Sequence, residues 1–302
     1  VIGYPTSAGV SSLCHRGFDC CDRGQTAWLI WRVSNYYDGK DFKQRVMAIK
    51  YRIEQNHPPR SPRESLPTMY DLPSENPEEP GLPDEFHDLQ PELLRVTFHP
   101  ANYPPEQIFC GSDMNLYYDA RHHYWYKRPD WFGVVGVSRL YDQEDLRLSY
   151  VIWQEMVRPT VVVELLSPGT EKEDLGRSTR LSSEPPTKWE VYEQILNVPY
   201  YVVFDRYTDR LRGFALTAGF YQELELIEPR IWIPQLELGL GLWSGEYEGI
   251  NRLWLRWYDA EGNWILTPTE REAIAQEQLE AERVRSQRLE ELLRSHGIDP
   301  NS

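Results

Sequence analysis

Arg128-Pro129-Asp130-Trp131-Phe132-Gly133-Val134-Val135-Gly136-Val137 and, further along, Thr160-Val161-Val162-Val163-Glu164-Leu165-Leu166-Ser167 decide how this chain folds. Each is an apolar run of strand length, rich in β-branched residues, with a carboxylate fixed at one end. Runs this continuous read as strands buried on both faces. A carboxylate on the rim of a buried strand is costly unless something pairs with it, and a divalent cation is one such partner.

Working outward, Leu148 to Trp153 reads as a further strand between these two, so that 130–137, 148–153 and 160–166 form a succession. Ser167 to Thr187 is polar and carries Pro168, Gly169, Gly176, Pro185 and Pro186, the composition of a loop. Lys172, Asp174 and Arg177 are expected on its solvated surface. A helix follows over Lys188 to Leu196, with Thr187 as N-cap and Glu190 completing a capping box. Pro199 ends that helix, and Tyr200 to Asp205 is another buried strand.

Downstream the pattern turns to antiparallel hairpins. Leu211–Leu216 and Tyr221–Leu226 flank a turn at Ala218-Gly219, and apolar runs at 231–233, 238–243 and 253–258 continue the series. From Thr269 to His296 the chain is rich in Glu, Gln, Arg and Ala, with a thin seam of Ile274, Leu279, Val284, Leu289, Leu292 and Leu293. That segment predicts a long solvated helix, 267–302 in all, which could pair with a second copy as a short coiled coil to give a homodimer.

Upstream, a short amphipathic stretch spans Asp84 to Leu94, and Arg121 to Arg128 interleaves basic and aromatic residues. Such interleaving suits either base stacking or ordinary cross-strand aromatic pairs at a sheet edge. His122 and His123, being adjacent, point to opposite faces of a strand and are not expected to share a metal. Residues 1–68 differ in character: ten basic and six acidic residues give +4, against −19 for the rest. The segment ends in the breaker-rich His57 to Arg63, and Met69 reads like a natural start, so 1–68 is expected to be an extension upstream of the true start. Within it Cys14, His15, Cys20 and Cys21 lack the spacing of a zinc site, and a helix is expected near 41–54.

The net charge of −15 excludes a generic nucleic-acid coat, which needs Lys and Arg, but leaves room for a nuclease whose acidic site is neutralised by metal. No run reaches the length of a membrane span and no signal peptide opens the chain, so a cytoplasmic location without membrane contact is expected.

Hydrolysis of a phosphodiester needs charge stabilisation on the phosphoryl oxygens and a deprotonated water, both of which a carboxylate-held divalent cation supplies. Asp130 at a strand start and Glu164 at a strand end would meet if their strands are antiparallel neighbours. The Leu165 carbonyl could add a third oxygen, and Lys188 in the first helical turn could reach the same place. An all-oxygen set of so few donors suits Mg²⁺ or Mn²⁺.

Taken in order, Pro129-Asp130, then Val163 to Thr170, Asp174 and Gly176, then Lys188 with Tyr192, and finally Val198 to Asp205 resemble the Uma-type family of restriction endonucleases, part of the PD-(D/E)XK nuclease superfamily. The resemblance spans about Met69 to Tyr258. It implies a mixed α/β (α+β) fold with a restriction-endonuclease-like αβββαβ core, here over 69–266 with added antiparallel strands. It also implies Asp130 and Glu164 as metal ligands, and DNA as substrate. The superfamily's lysine normally lies two residues after the glutamate, where this chain has Leu166; the resemblance moves that role to Lys188, with Arg177 as substitute. An upstream helix acid would fall at Glu85 or Glu92. The competing reading is a catalytically inactive nuclease fold used for binding or assembly, and an RNA-directed phosphohydrolase would use the same chemistry.

Overall fold

The computed structural model describes residues 84–167, 170–178, 184–296 and 299. The expectations for residues 1–68, including the Cys14, His15, Cys20 and Cys21 cluster and the helix near 41–54, fall outside the described residues.

Helix α1 (Glu85–Thr97) starts at Asp84, whose side chain caps it by accepting the His87 backbone N–H at 2.9 Å. Phe86, Leu93 and Leu94 make its buried stripe. After it come β1 (Ile108–Gly111), β2 (Leu116–Tyr117), β3 (Tyr126–Lys127), β4 (Trp131–Val135), β5 (Tyr150–Val151), the helical turn α2 (Ile152–Glu155) and β6 (Val161–Leu165). A turn α3 (Glu171–Asp174) and helix α4 (Lys188–Glu190), which runs on as a π-helical turn over Val191–Ile195, lead to β7 (Tyr200–Asp205). The hairpin β8 (Arg210–Thr217) and β9 (Phe220–Glu223) completes a six-stranded sheet of order β1-β4-β6-β7-β8-β9.

Within that sheet β1, β4 and β6 run antiparallel, while β7 lies parallel to β6 across the α3–α4 connection. Helix, three strands, helix, strand is the expected αβββαβ order. One member is not the expected one. Leu148 to Trp153 does not form a core strand: Leu148 is 97% exposed, Ile152 already coils into α2, and only Tyr150 and Val151 pair, parallel to β2 in a separate three-stranded sheet. The core strand in its place is β1, whose four residues are too few to stand out from a single sequence.

A side-chain period of two divides the sheet's faces. Trp131, Val161, Val163, Leu165, Val202 and Phe204 point to the side covered by α1 and by a second sheet, formed by β10 (Arg230–Ile233), β11 (Leu238–Tyr247) and β12 (Ile250–Tyr258). Phe132, Val134, Val162, Tyr201 and Val203 point the other way, onto Val191, Tyr192 and Leu196 of the α4 segment. The two-residue turn at Ala218-Gly219 falls where expected, both residues at positive φ. The chain ends in α5 (Pro268–Ser295), capped by Thr267 and Glu270 and carrying no buried residue. The architecture is mixed α/β, with multiple sheets and a long C-terminal helix.

Candidate functional site

Strand direction brings the two rim carboxylates together. Trp131 pairs with Val163 in the antiparallel β4–β6 register, so one residue further Asp130 stands opposite Glu164. The Asp130 backbone N–H donates to Glu164 Oε2 at 3.3 Å, and Asp130 Oδ2 accepts the Leu165 N–H at 2.6 Å. Glu164 occupies an even position of β6 and therefore faces α4. Lys188 and Tyr192 sit four residues apart, on one face of that helical segment, and both reach it. Lys188 Nζ lies 2.9 Å from Glu164 Oε2, and the Tyr192 hydroxyl donates to Glu164 Oε1 at 2.9 Å. The capping box read at Thr187 and Glu190 is present and sets where the helix starts, hence where Lys188 points.

Asp174 departs from expectation. It is fully buried, with an oxygen 2.9 Å from Lys188 Nζ, whereas Lys172 and Arg177 are exposed as expected. Gly176 at positive φ turns the chain directly beneath the Trp189 ring, where a Cβ would approach within 2.7 Å, and Tyr201 donates from its hydroxyl to the Asp174 carbonyl at 2.8 Å. These contacts fold the start of the long connection back against the sheet. Arg177 pairs with Glu171 at the surface, 3.6 Å away, and takes no part in the cluster.

The side chain that α1 contributes is His87. Its Nε2 lies 3.2 Å from the Leu165 carbonyl oxygen and its Nδ1 3.0 Å from Asp84 Oδ1. Glu85 is exposed at the helix start, and Glu92 pairs with Arg95 at 2.9 Å on an exposed flank. Of the first-turn and flanking residues of α1, it is a histidine, and neither of these two acids, that reaches the cluster. His87 follows its cap Asp84 by three residues, which placed it in that turn from sequence, but only the docking of α1 aims it at Leu165.

Charge in the cluster is out of balance. Burial pushes the Glu164 carboxyl well above its usual range, with Lys188 opposing and Asp130 and Asp174 adding to the rise. Asp174 is raised for the same leading reason. Burial would lower Lys188, yet Asp174, Glu164 and Asp130 together hold its ammonium well above the ordinary lysine value. For His87, burial lowers the pKa, but Asp84 and Asp130 outweigh it and the net shift is upward. Three carboxylates thus share one lysine in a desolvated space.

Among the described residues no group of three or more His, Cys, Asp or Glu side chains is arranged around a point as metal ligands. The oxygen donors on this rim are the Asp130 and Glu164 carboxylates and the Leu165 backbone carbonyl. Their hard oxygen chemistry and the excess negative charge around Lys188 both fit a divalent cation such as Mg²⁺ or Mn²⁺. Cys110 lies half-buried in β1, and burial pushes its thiol up to about 11, away from the thiolate form that nucleophilic attack uses. The basic-aromatic segment forms mostly turns around the short β3, with a Tyr117–Tyr126 cross-strand pair at 5.5 Å.

Against known proteins, a search of curated sequences finds no match. A solved structure described as a "putative nuclease belonging to DUF820 from Anabaena variabilis ATCC 29413" is similar at 11% identity and a TM-score of 0.35, covering 52% of this chain and 76% of that one. A family model, Uma2, described as "Putative restriction endonuclease", matches residues 60–250. That span is well over half of the chain and includes every residue of the cluster, so the protein belongs to the Uma2 family.

Proposed function

We propose that this protein is a divalent-metal-dependent endonuclease that hydrolyses DNA phosphodiester bonds, with Asp130, Glu164 and Lys188 as its catalytic residues. The observation that supports this most is the meeting of Asp130, Glu164 and the Leu165 backbone on one sheet rim, with Lys188 Nζ 2.9 Å from Glu164. Asp130, Glu164 and the Leu165 carbonyl would hold the Mg²⁺ or Mn²⁺ ion, which when bound supplies Lewis acidity at a phosphoryl oxygen and acidifies a coordinated water. Lys188, fixed between Glu164 and Asp174, is a placed cation for the negative charge that develops on the phosphoryl oxygens. Tyr192 anchors the Glu164 carboxylate so that its orientation survives substrate entry. The β6–α4 contacts exclude water from the Lys188 side, which strengthens each of these interactions.

We further infer three segments: 1–68, the nuclease domain 69–266, and the charged helix 267–302. The apolar residues of α5 are all exposed, Leu279 to 73%, and the proposed partner for them is the same helix of a second copy. Light scattering on the purified chain would show a dimer that disappears on truncation after residue 267. No helix among the described residues is long and apolar enough to cross a membrane, in keeping with a proposed cytoplasmic site of action on DNA.

The deciding experiment incubates the purified protein with plasmid DNA and, separately, with RNA, in Mg²⁺ or Mn²⁺. Cleavage of DNA that stops in EDTA and in the Asp130→Asn, Glu164→Gln double variant is the expected result. Cleavage of RNA alone would change the substrate class. The competing reading, an inactive fold used for binding, draws on the full burial of Glu164 and the net charge of −15. Wild type that neither binds Mn²⁺ nor cuts nucleic acid would establish it.

A further inference from the structure

Strand β6 ends at Leu165, and the peptide that follows it is gripped from both sides. The Leu166 N–H donates to the Phe204 carbonyl of β7 at 2.8 Å, which fixes one edge of the peptide plane. On the other edge, the Leu165 carbonyl meets His87 Nε2 at 3.2 Å, across 78 residues of chain. A carbonyl can only accept, so Nε2 carries the proton in this contact. It also has two lone pairs, so one hydrogen bond leaves the second free for another partner.

His87 is itself held. Asp84 Oδ1 lies 3.0 Å from Nδ1, and Asp84 Oδ2 receives Arg206 Nη2 at 2.7 Å. Arg206 follows directly on β7, the strand that fixes the Leu166 N–H, and its guanidinium lies 5.0 Å above the Phe86 ring. The side chains of His87, Asp84 and Arg206 are 18%, 16% and 17% exposed, so the relay runs mostly out of water. Helix α1, which carries two of its members, cannot slide: Gln90 exchanges two hydrogen bonds with the Leu255 backbone at 2.7 and 2.8 Å, and Phe86 stacks on Trp254.

We infer that His87 is a positioning residue of this site: its Nε2–H, aimed by Asp84 and Arg206, holds the Leu165 carbonyl in the orientation required of the third oxygen in the Asp130, Glu164 and Leu165 donor set. The inference rests on the metal-dependent reading proposed above. An outer partner that fixes a ligand's direction contributes to metal affinity without touching the metal, and its loss costs about 10–100-fold in affinity. Sequence pointed to an acid on α1; the structure places a hydrogen-bond donor there instead, which supports the donor set without adding to it.

The test is Mn²⁺ affinity, read by electron paramagnetic resonance of free Mn²⁺ titrated into the full chain, with thermal melts to check folding. His87→Ala is expected to weaken binding about 10–100-fold. His87→Gln, which keeps an N–H donor, should stay close to wild type. Asp84→Asn should fall between, since Asn caps a helix as well as Asp does and spares the fold while loosening the imidazole. If His87→Ala is too unstable to measure, the Gln and Asp84→Asn variants decide: Gln near wild type with Asp84→Asn weakened supports the assignment. Equal or tighter Mn²⁺ binding in His87→Ala overturns it, as does a folded His87→Gln as weak as Ala. Wild type that binds no Mn²⁺ defeats the metal-dependent reading itself. Wild type that binds through Glu164, with His87 variants unaffected, defeats this inference alone.

Discussion

Two buried ion clusters in this molecule obey opposite rules. Arg147 and Glu155 form a balanced pair, 1% and 8% exposed, one positive charge against one negative. Arg147 donates to both Glu155 oxygens at 2.7 and 2.9 Å and to the carbonyls of Arg139 and Ser138 at 3.0 and 2.8 Å, and lies over the Phe109 ring. Its charge is paired and most of its protons are placed, so the arrangement is complete without any visitor. The cluster around Lys188 sets three carboxylates, from Asp130, Glu164 and Asp174, against one ammonium. Desolvation makes an unpaired carboxylate costly, and a fold that keeps such an imbalance at a sheet rim keeps it for a reason other than stability. Burial alone does not mark a functional site. A buried excess of carboxylates over cations is the feature that supports the site proposed around Lys188.

The comparison breaks most directly at the balanced pair. Arg147→Met leaves Glu155 buried without its partner and should cost about 3–5 kcal/mol in denaturant unfolding, with Mn²⁺ affinity of the folded fraction unchanged. A stability loss below about 1 kcal/mol would show that the pair is not the self-sufficient unit described. Glu164→Gln should do the reverse. The fold persists, because a buried excess charge has been removed, while plasmid cleavage falls more than about 100-fold, beyond the loss expected for an outer partner. Full activity in that variant would remove Glu164 from the site.

A pH series sharpens the same contrast. Glu164 and Asp174 are raised in the folded protein from ordinary values of 4.5 and 3.8. Between those values and the folded ones, the folded chain holds more protons than the unfolded chain. Their contribution to metal-free stability is therefore greatest at low pH and declines as pH rises past about 4 towards the folded values. Glu164→Gln should flatten this decline in thermal melts, and Mn²⁺ should stabilise wild type more as pH rises. Identical slopes in the two proteins would mean that the imbalance is not felt. The smallest effect is expected at the C-terminus. Because α5 buries none of its residues, removal of 275–302, which keeps the Arg256–Glu270 contact, should change monomer unfolding by no more than about 0.5 kcal/mol.

Much of this was legible in the chain. Strand β4, strand β6, the Thr187 capping box, β7 and the Ala218-Gly219 turn are local patterns, in which neighbours along the chain carry the signal. Strand β1 was not legible, because four residues flanked by a turn have no period to read, and the stretch 148–153 misled because β-branched and aromatic content outweighed its exposed Leu148. Asp174 looked like a loop acid for the same reason that Lys172 and Arg177 did. What separates it is the turn at Gly176 and the Tyr201 hydroxyl, both brought together by tertiary folding.

By itself, the sequence determined which residue types stand at the strand ends and which helix start carries Lys188, since propensity, capping and alternation act over a few residues. Only the tertiary structure decided that Asp174 joins Lys188 and that His87 of α1 reaches the Leu165 carbonyl. Those contacts depend on how α1 and the α3 turn dock on the sheet, through side chains distant along the chain that no local pattern encodes.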